Sequence, residues 1–148
     1  MNIKKLRDEL TNDPEGLGYS GQSDTDTAAL INDANRNHRV SLNSRVLLAW
    51  SGGGGRLAKL RTAAANDQLP EAVRSAAEAA LLLVTRPDTE LDLSDSAQEG
   101  LVDGLVSAGV FLADDKTQLI AMATKQRSRA DELGLGRPRP SDVQKARA

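Results

Sequence analysis

Apolar residues recur along most of this chain at the three- and four-residue spacing of one helix face, and glycine, proline and short polar side chains punctuate the stretches between. Ile3, Leu6 and Leu10 predict a first helix over Met1–Leu10. Asn12-Asp13-Pro14-Glu15-Gly16-Leu17-Gly18-Tyr19 then breaks it, because Asn and Asp favour turns, Pro14 lacks a donor and the glycines admit positive φ. Leu17 and Tyr19 are expected to fold back onto that helix. Ser23 has the character of an N-cap, with Asp24 and Asp26 at the positive end of the helix dipole. Ala28, Leu30, Ile31 and Ala34 give the second helix its apolar face, and it should end near Asn35–Asn37.

His38–Leu42 reads as a loop or a short extended piece, the only strand candidate. Asn43 or Ser44 can cap a short apolar helix, Arg45–Trp50, which Ser51 and the run Gly52–Gly55 end. A helix over Arg56–Ala65 follows, with Leu57, Leu60 and Ala64 on one face. Pro70 suits the first turn of the next helix, where its missing N–H is no loss. That helix runs to about Thr85 and is broadly apolar, which marks it as central. After a connector at Asp88–Leu93, Ser94 or Asp95 caps a helix over Ser96–Ala108, and Gly109 fits its left-handed end. Val110-Phe111-Leu112 reads as a buried link. Asp114 is expected to cap a long helix, Asp115–Leu133, ended by Gly134. Leu135–Pro140 cannot be helical, and Ser141 should cap a last short helix, Asp142–Arg147. The pattern predicts an all-α fold, a compact bundle of about seven helices with short connections. Leu6, Leu30, Leu81, Leu105 and Leu119 are expected in its core.

The 148 residues predict one helical domain, residues 134–148 forming an extended basic C-terminal tail that ends in a short helix. Only Tyr19, Trp50 and Phe111 are aromatic, so the core must be aliphatic, with alanine allowing close helix approach. The absence of cysteine excludes disulfides and thiol chemistry. No signal-like segment opens the chain, and the longest apolar run, Ala79–Val84, is far short of the roughly 20 residues of a membrane span. Neither export by a classical signal nor membrane insertion is expected.

Charge is segmented. Residues 1–35 hold 3 basic and 7 acidic groups, 36–65 hold 6 basic and none acidic, 66–115 hold 2 and 11, and 116–148 hold 8 and 3. Blocks of alternating sign favour intramolecular or head-to-tail pairing over a single nucleic-acid face. The basic C-terminal stretch has no interleaved aromatics for base stacking, so nucleic acid is not the expected partner.

Candidate chemistry is thin. Gly52–Gly55 with Arg56 lacks the Lys-Ser/Thr pair and the preceding strand of a phosphate loop, and a hinge is the simpler reading. Asp92, Ser94, Ser96 and Asp103 resemble a calcium loop only in passing, since Ala97 stands where a glycine belongs and Asp103 where a glutamate belongs. His38, the sole histidine, has no second nitrogen or sulfur ligand beside it for zinc. No cofactor or metal is expected, and an enzyme is the least expected class. The candidate interface residues are Trp50, Arg56 and Leu57 around the glycine run, and Arg137 and Arg139 in the basic tail.

Two stretches carry a family resemblance. One is Leu10–Tyr19 (LTNDPEGLGY) with Ser23-Asp24 and Leu30-Ile31-Asn32. The other is Gln126–Gly136 (QRSRADELGLG) with Ser141-Asp142-Val143 and Ala146-Arg147. Their order and spacing resemble small uncharacterised proteins of tailed bacteriophages and prophages, encoded among virion and tail genes. The resemblance extends loosely to Leu101–Ala123 and does not cover about 37–65. It implies a virion structural or assembly protein of the tail or head–tail region, docking to other virion proteins or to itself as a homo-oligomer, in the virion or in the host cytoplasm during assembly. The alternative is a small cytoplasmic effector that binds and inhibits a host or defence protein, its acidic block mimicking nucleic acid.

Overall fold

The computed structural model describes residues 1–148. In chain order its helices are α1 (Ile3–Asn12), α2 (Asp24–Asn32), α3 (Ser44–Gly52), α4 (Arg56–Ala65), α5 (Glu71–Thr85), α6 (Ser96–Ser107), α7 (Ala113–Met122), α8 (Arg129–Glu132) and α9 (Pro140–Arg147). A 3-10 turn, Gly53–Gly55, joins α3 to α4. Strands β1 (Arg36–Arg39), β2 (Leu42–Asn43), β3 (Glu90–Leu91) and β4 (Thr124–Arg127) form two small sheets, β1 with β4 and β2 with β3. The fold is therefore mainly α, not all-α. No helix is long and apolar enough to cross a membrane.

Where the sequence predicts one domain, the contacts resolve two compact units. The first combines both ends of the chain, Met1–His38 and Gln126–Ala148, and the second is the intervening Arg39–Lys125.

In the first unit, α9 packs against α1 and α2, and α2 also packs against α8. Leu6, Tyr19, Ile31, Ala130, Leu135 and Ala146 close the core. Residues 134–148 are thus not an extended tail. Leu135, Val143 and Ala146 are buried, because α9 turns its apolar ridge inward. Pro140 occupies the first turn of α9, so the helix starts before Ser141, with the Asp142 carboxylate accepting from the Arg139 N–H (3.0 Å). Leu30 is only half-buried, and Ala28 and Ile31 carry the inner face of α2.

In the second unit, α5 packs on α3, α4 and α6, the central position its composition predicts. Its buried ridge is Ala77, Ala80 and Val84, residues small enough for close approach; Leu81 is half-buried and Leu82 exposed. One apolar cluster gathers Leu42, Leu47, Val84, Leu91, Val102 and Leu119, and a second gathers Leu60, Ala63, Ala77, Leu105, Val110 and Phe111. Trp50 and Leu101 pack against both. The antiparallel β2–β3 pair, with Leu42 opposite Leu91, adds two leucines to the first cluster.

The long helix expected over Asp115–Leu133 is broken at Ala123. A continuing helix would need the Ala123 carbonyl for the N–H four residues on, but the Val40 N–H takes it (2.7 Å). The Thr124 hydroxyl bonds back to the Ile120 carbonyl (2.6 Å), an arrangement that weakens a helix end. Ser128 then restarts the chain as α8 through a capping box with Asp131.

The single tryptophan lies in the second unit, so its fluorescence reports that unit's unfolding. Leu105 is fully buried, and Leu105→Ala should cost about 2–5 kcal/mol in denaturant unfolding. Leu81→Ala, at a half-buried site, should cost under about 2 kcal/mol. An equal loss at both positions would contradict the ridge assignment.

Candidate functional site

The glycine run of the second unit forms an elbow. The Asn43 side chain caps α3, accepting from the Val46 N–H (3.0 Å). Gly54 and Gly55 adopt φ of 60° and 67°, left-handed values that let the chain turn directly into α4. Two carbonyls at this helix end, which also accept backbone N–H groups, accept from Arg56, whose Nη1 donates to Trp50 O and Gly53 O at 3.0 Å each. Its Nε donates to Asp115 Oδ1 (2.7 Å) and its Nη2 to Gln118 Oε1 (2.9 Å). The Trp50 Nε1 donates to the same Gln118 oxygen (3.2 Å). The guanidinium carbon lies 4.6 Å from the Trp50 ring centroid, and that ring meets Phe111 edge-on at 5.5 Å.

Asp115 is buried in this arrangement. Burial by itself would raise its pKa, but the Leu112 N–H, which donates to Oδ2 (2.8 Å), and the Arg56 guanidinium outweigh it and hold the carboxyl below its ordinary 3.8. Gly52–Gly55 are exposed, and the Arg56 guanidinium bonds the Trp50 and Gly53 carbonyls beside and within the run. Trp50, Arg56 and Leu57 are all partly buried, and their polar groups are satisfied within the unit. Asp115 and Gln118, which complete the cluster, lie about sixty positions further along the chain, where nothing in local spacing marks them.

In the first unit, Leu10–Tyr19 and Gln126–Gly136 come together. Asp13 adopts φ of 39° and its carboxylate accepts from the Leu17 and Gly18 N–H groups at 2.7 Å each, shaping the turn that delivers Tyr19 into the core. Glu9 is 5% exposed. Arg129, the first residue of α8, grips it with two bonds, Nε to Oε1 (2.8 Å) and Nη2 to Oε2 (2.9 Å). The Tyr19 hydroxyl donates to Glu9 Oε1 (3.3 Å). Arg129 also donates to Glu132 (3.1 Å), Glu132 accepts from Arg36 (2.9 Å), and Arg36 donates to Glu15 (3.0 Å). The Arg36 bond is the main reason the Glu132 carboxyl titrates below its ordinary range, with Arg129 adding to it. Burial, then the Glu9 charge and the bond to Glu9, push the Tyr19 phenol well above its ordinary 10.0.

The remaining candidates separate. Arg147 is engaged with Asp24 (2.7 Å), the Thr27 hydroxyl (2.9 Å) and the carbonyls of Tyr19 and Gln22. Arg137 and Arg139 stay exposed, with no ion pair. Asp92 holds Ser94, Asp95 caps α6 and Asp103 pairs with Lys116, so each has a local partner. His38 lies half-buried in β1. No family model, curated protein or solved structure matches the chain.

Two measurements address these networks. A folded carboxyl pKa below the unfolded value stabilises above the unfolded value and loses that contribution as pH falls through the folded one. The second unit should therefore lose stability below about pH 4, with Asp115→Asn flattening that acid limb. Arg56→Met at neutral pH strands a buried carboxylate and should cost about 3 kcal/mol by Trp50 fluorescence; a loss under about 1 kcal/mol would reduce the pair to a surface contact.

Tyr19 is the only tyrosine, so phenolate absorbance reads this group alone. Its raised folded pKa means that its contribution is complete below about pH 10 and is lost as pH rises beyond that. Phenolate should appear together with unfolding of the first unit, and Tyr19→Phe should remove the alkaline dependence. Free ionisation near the ordinary value in the folded protein would contradict the buried bond to Glu9.

Proposed function

We propose that the protein is a structural or assembly component of a tailed-bacteriophage virion, in the tail or head–tail region, acting by docking to other virion proteins or to itself. The observation that carries this reading is the meeting of Leu10–Tyr19 and Gln126–Gly136 in one unit, where Tyr19 of the first and Arg129 of the second both bond the adjoining Glu9. The segments that resemble phage proteins thus make a packed module whose charged groups hold one another. A module of that kind presents a surface to partners.

The second unit offers apolar contact. Leu82 is 46% and Leu112 59% exposed, and Leu82 lines a largely apolar groove with Ala79 and Leu83. Covering such side chains contributes about 25 cal/mol per Å² of apolar area removed from water. Charge blocks of opposite sign add orientation and association rate rather than affinity.

Mass spectrometry of gradient-purified particles from the phage or induced prophage encoding this chain tests the reading. The chain should be present at a fixed ratio to major virion proteins and survive a salt wash. Its absence from particles and from assembly intermediates, with free protein in the lysate, would overturn the assignment.

A further inference from the structure

The segment following α8 is anchored from several directions. The Leu135 N–H donates to the Ala130 carbonyl (2.9 Å), and Pro138 is fully buried. The Asn32 amide, on α2, donates to the Pro138 carbonyl and to the Ala28 carbonyl, both at 2.7 Å. The Arg139 N–H is held by Asp142. Pro138 and Pro140 fix φ on either side of Arg139. The backbone of Arg137-Pro138-Arg139-Pro140 is therefore set before any ligand arrives, while both arginine side chains project free of acidic partners.

They flank a cleft of about 570 Å³ within the first unit. Thr25, Ala28, Ala29 and Asn32 of α2 form its other wall, and no carboxylate lines it. The floor is small and largely methyl, and the rim is cationic. Guanidinium groups bind carboxylates through paired, charge-assisted bonds, and a fixed backbone lowers the ordering cost of binding.

We propose that this cleft is a docking site for an acidic segment of a partner protein. Two carboxylates of that segment engage Arg137 and Arg139, and its backbone or aliphatic stems lie over Ala28 and Ala29. Two features favour an acidic peptide over nucleic acid. No aromatic side chain lines the cleft, so bases have nothing to stack on. Asp26 lies in the first turn of the same α2 with no cation paired to it, a charge that a continuous phosphate backbone would meet and a short peptide would not.

The proposal goes beyond virion membership, and the two fail separately: particle composition is read by mass spectrometry, the cleft by titration of the purified protein. The probe is an octaglutamate peptide, added to the isotope-labelled full chain at low ionic strength and followed by amide chemical shifts. Saturable shifts are expected at Thr25, Ala28, Ala29 and Asn32. Arg137→Glu/Arg139→Glu should weaken binding at least about tenfold, equivalent to about 1.4 kcal/mol, with Arg137→Gln/Arg139→Gln as the milder companion. Lys4→Glu/Lys5→Glu, which removes the same charge from the exposed face of α1, should leave affinity unchanged. Any of four results would overturn the proposal: no shifts at the cleft, shifts that persist in both arginine variants, an equal loss in the lysine variant, or a DNA oligonucleotide of matched charge that binds the cleft more tightly than the peptide. Self-association of the protein alone, abolished by the arginine substitutions, would assign the cleft to a second copy and likewise overturn it.

Discussion

A carboxylate withdrawn from water must be met by a cation, and both units of this chain are arranged around that requirement. Glu9 and Arg129 meet across 120 positions, Asp115 and Arg56 across 59. Each arginine is the first residue of its helix, α8 or α4, so helix and guanidinium are placed together. Buried pairs of this kind add little net stability compared with a well-packed apolar substitute, whereas removing one partner is strongly destabilising. Their effect is to fix which distant segments adjoin. With three aromatics in the chain, packing alone supplies few large shapes to specify those neighbours, and the ion pairs add the missing directionality.

The second unit shows how one side chain converts a flexible sequence into a defined turn. Four consecutive glycines have the largest conformational freedom to lose. Arg56 offsets that by bonding two carbonyls of the elbow while holding Asp115 and Gln118 and stacking on Trp50. Trp50 in turn packs against both apolar clusters. The elbow, the buried carboxylate and the junction of the clusters therefore stand on the same guanidinium. Loosening it would affect all three together.

Local punctuation was legible in the sequence. Ser23 caps α2, Asn43 rather than Ser44 caps α3, Asp95 rather than Ser94 caps α6, and Gly109 and Gly134 take left-handed φ at helix ends, whereas the expected caps Asp114 and Ser141 lie inside helices that begin at Ala113 and Pro140. Such features depend on a few adjacent residues. The strands were legible only at His38–Leu42, which overlaps the ends of β1 and β2; two-residue pairs such as Glu90-Leu91 are too short to show a period of two. The break after α7 depends on Val40, more than eighty positions earlier, taking the Ala123 carbonyl. Of the candidate site, Trp50, Arg56 and the glycines could be grouped because they adjoin in sequence. Asp115, Gln118, Glu9 and Arg129 are joined only by the fold.

The arrangement of the two units gives the ends of the chain a role that composition concealed. Residues 134–148 read as an extended basic tail, yet Arg147 is engaged with Asp24, and Val143 and Ala146 are interior. The first unit cannot close until the last helix is available to pack against α1 and α2. Its contacts are therefore among the least local in the protein, with loop closure spanning the whole inserted segment, a cost that grows only slowly with the length of the insertion. An insertion point between β1 and β4 can thus accept segments of different length and sequence while Glu9, Tyr19 and Arg129 keep their geometry. Leu10–Tyr19 and Gln126–Gly136 both fall in this first unit, and residues 39–65 fall in the second.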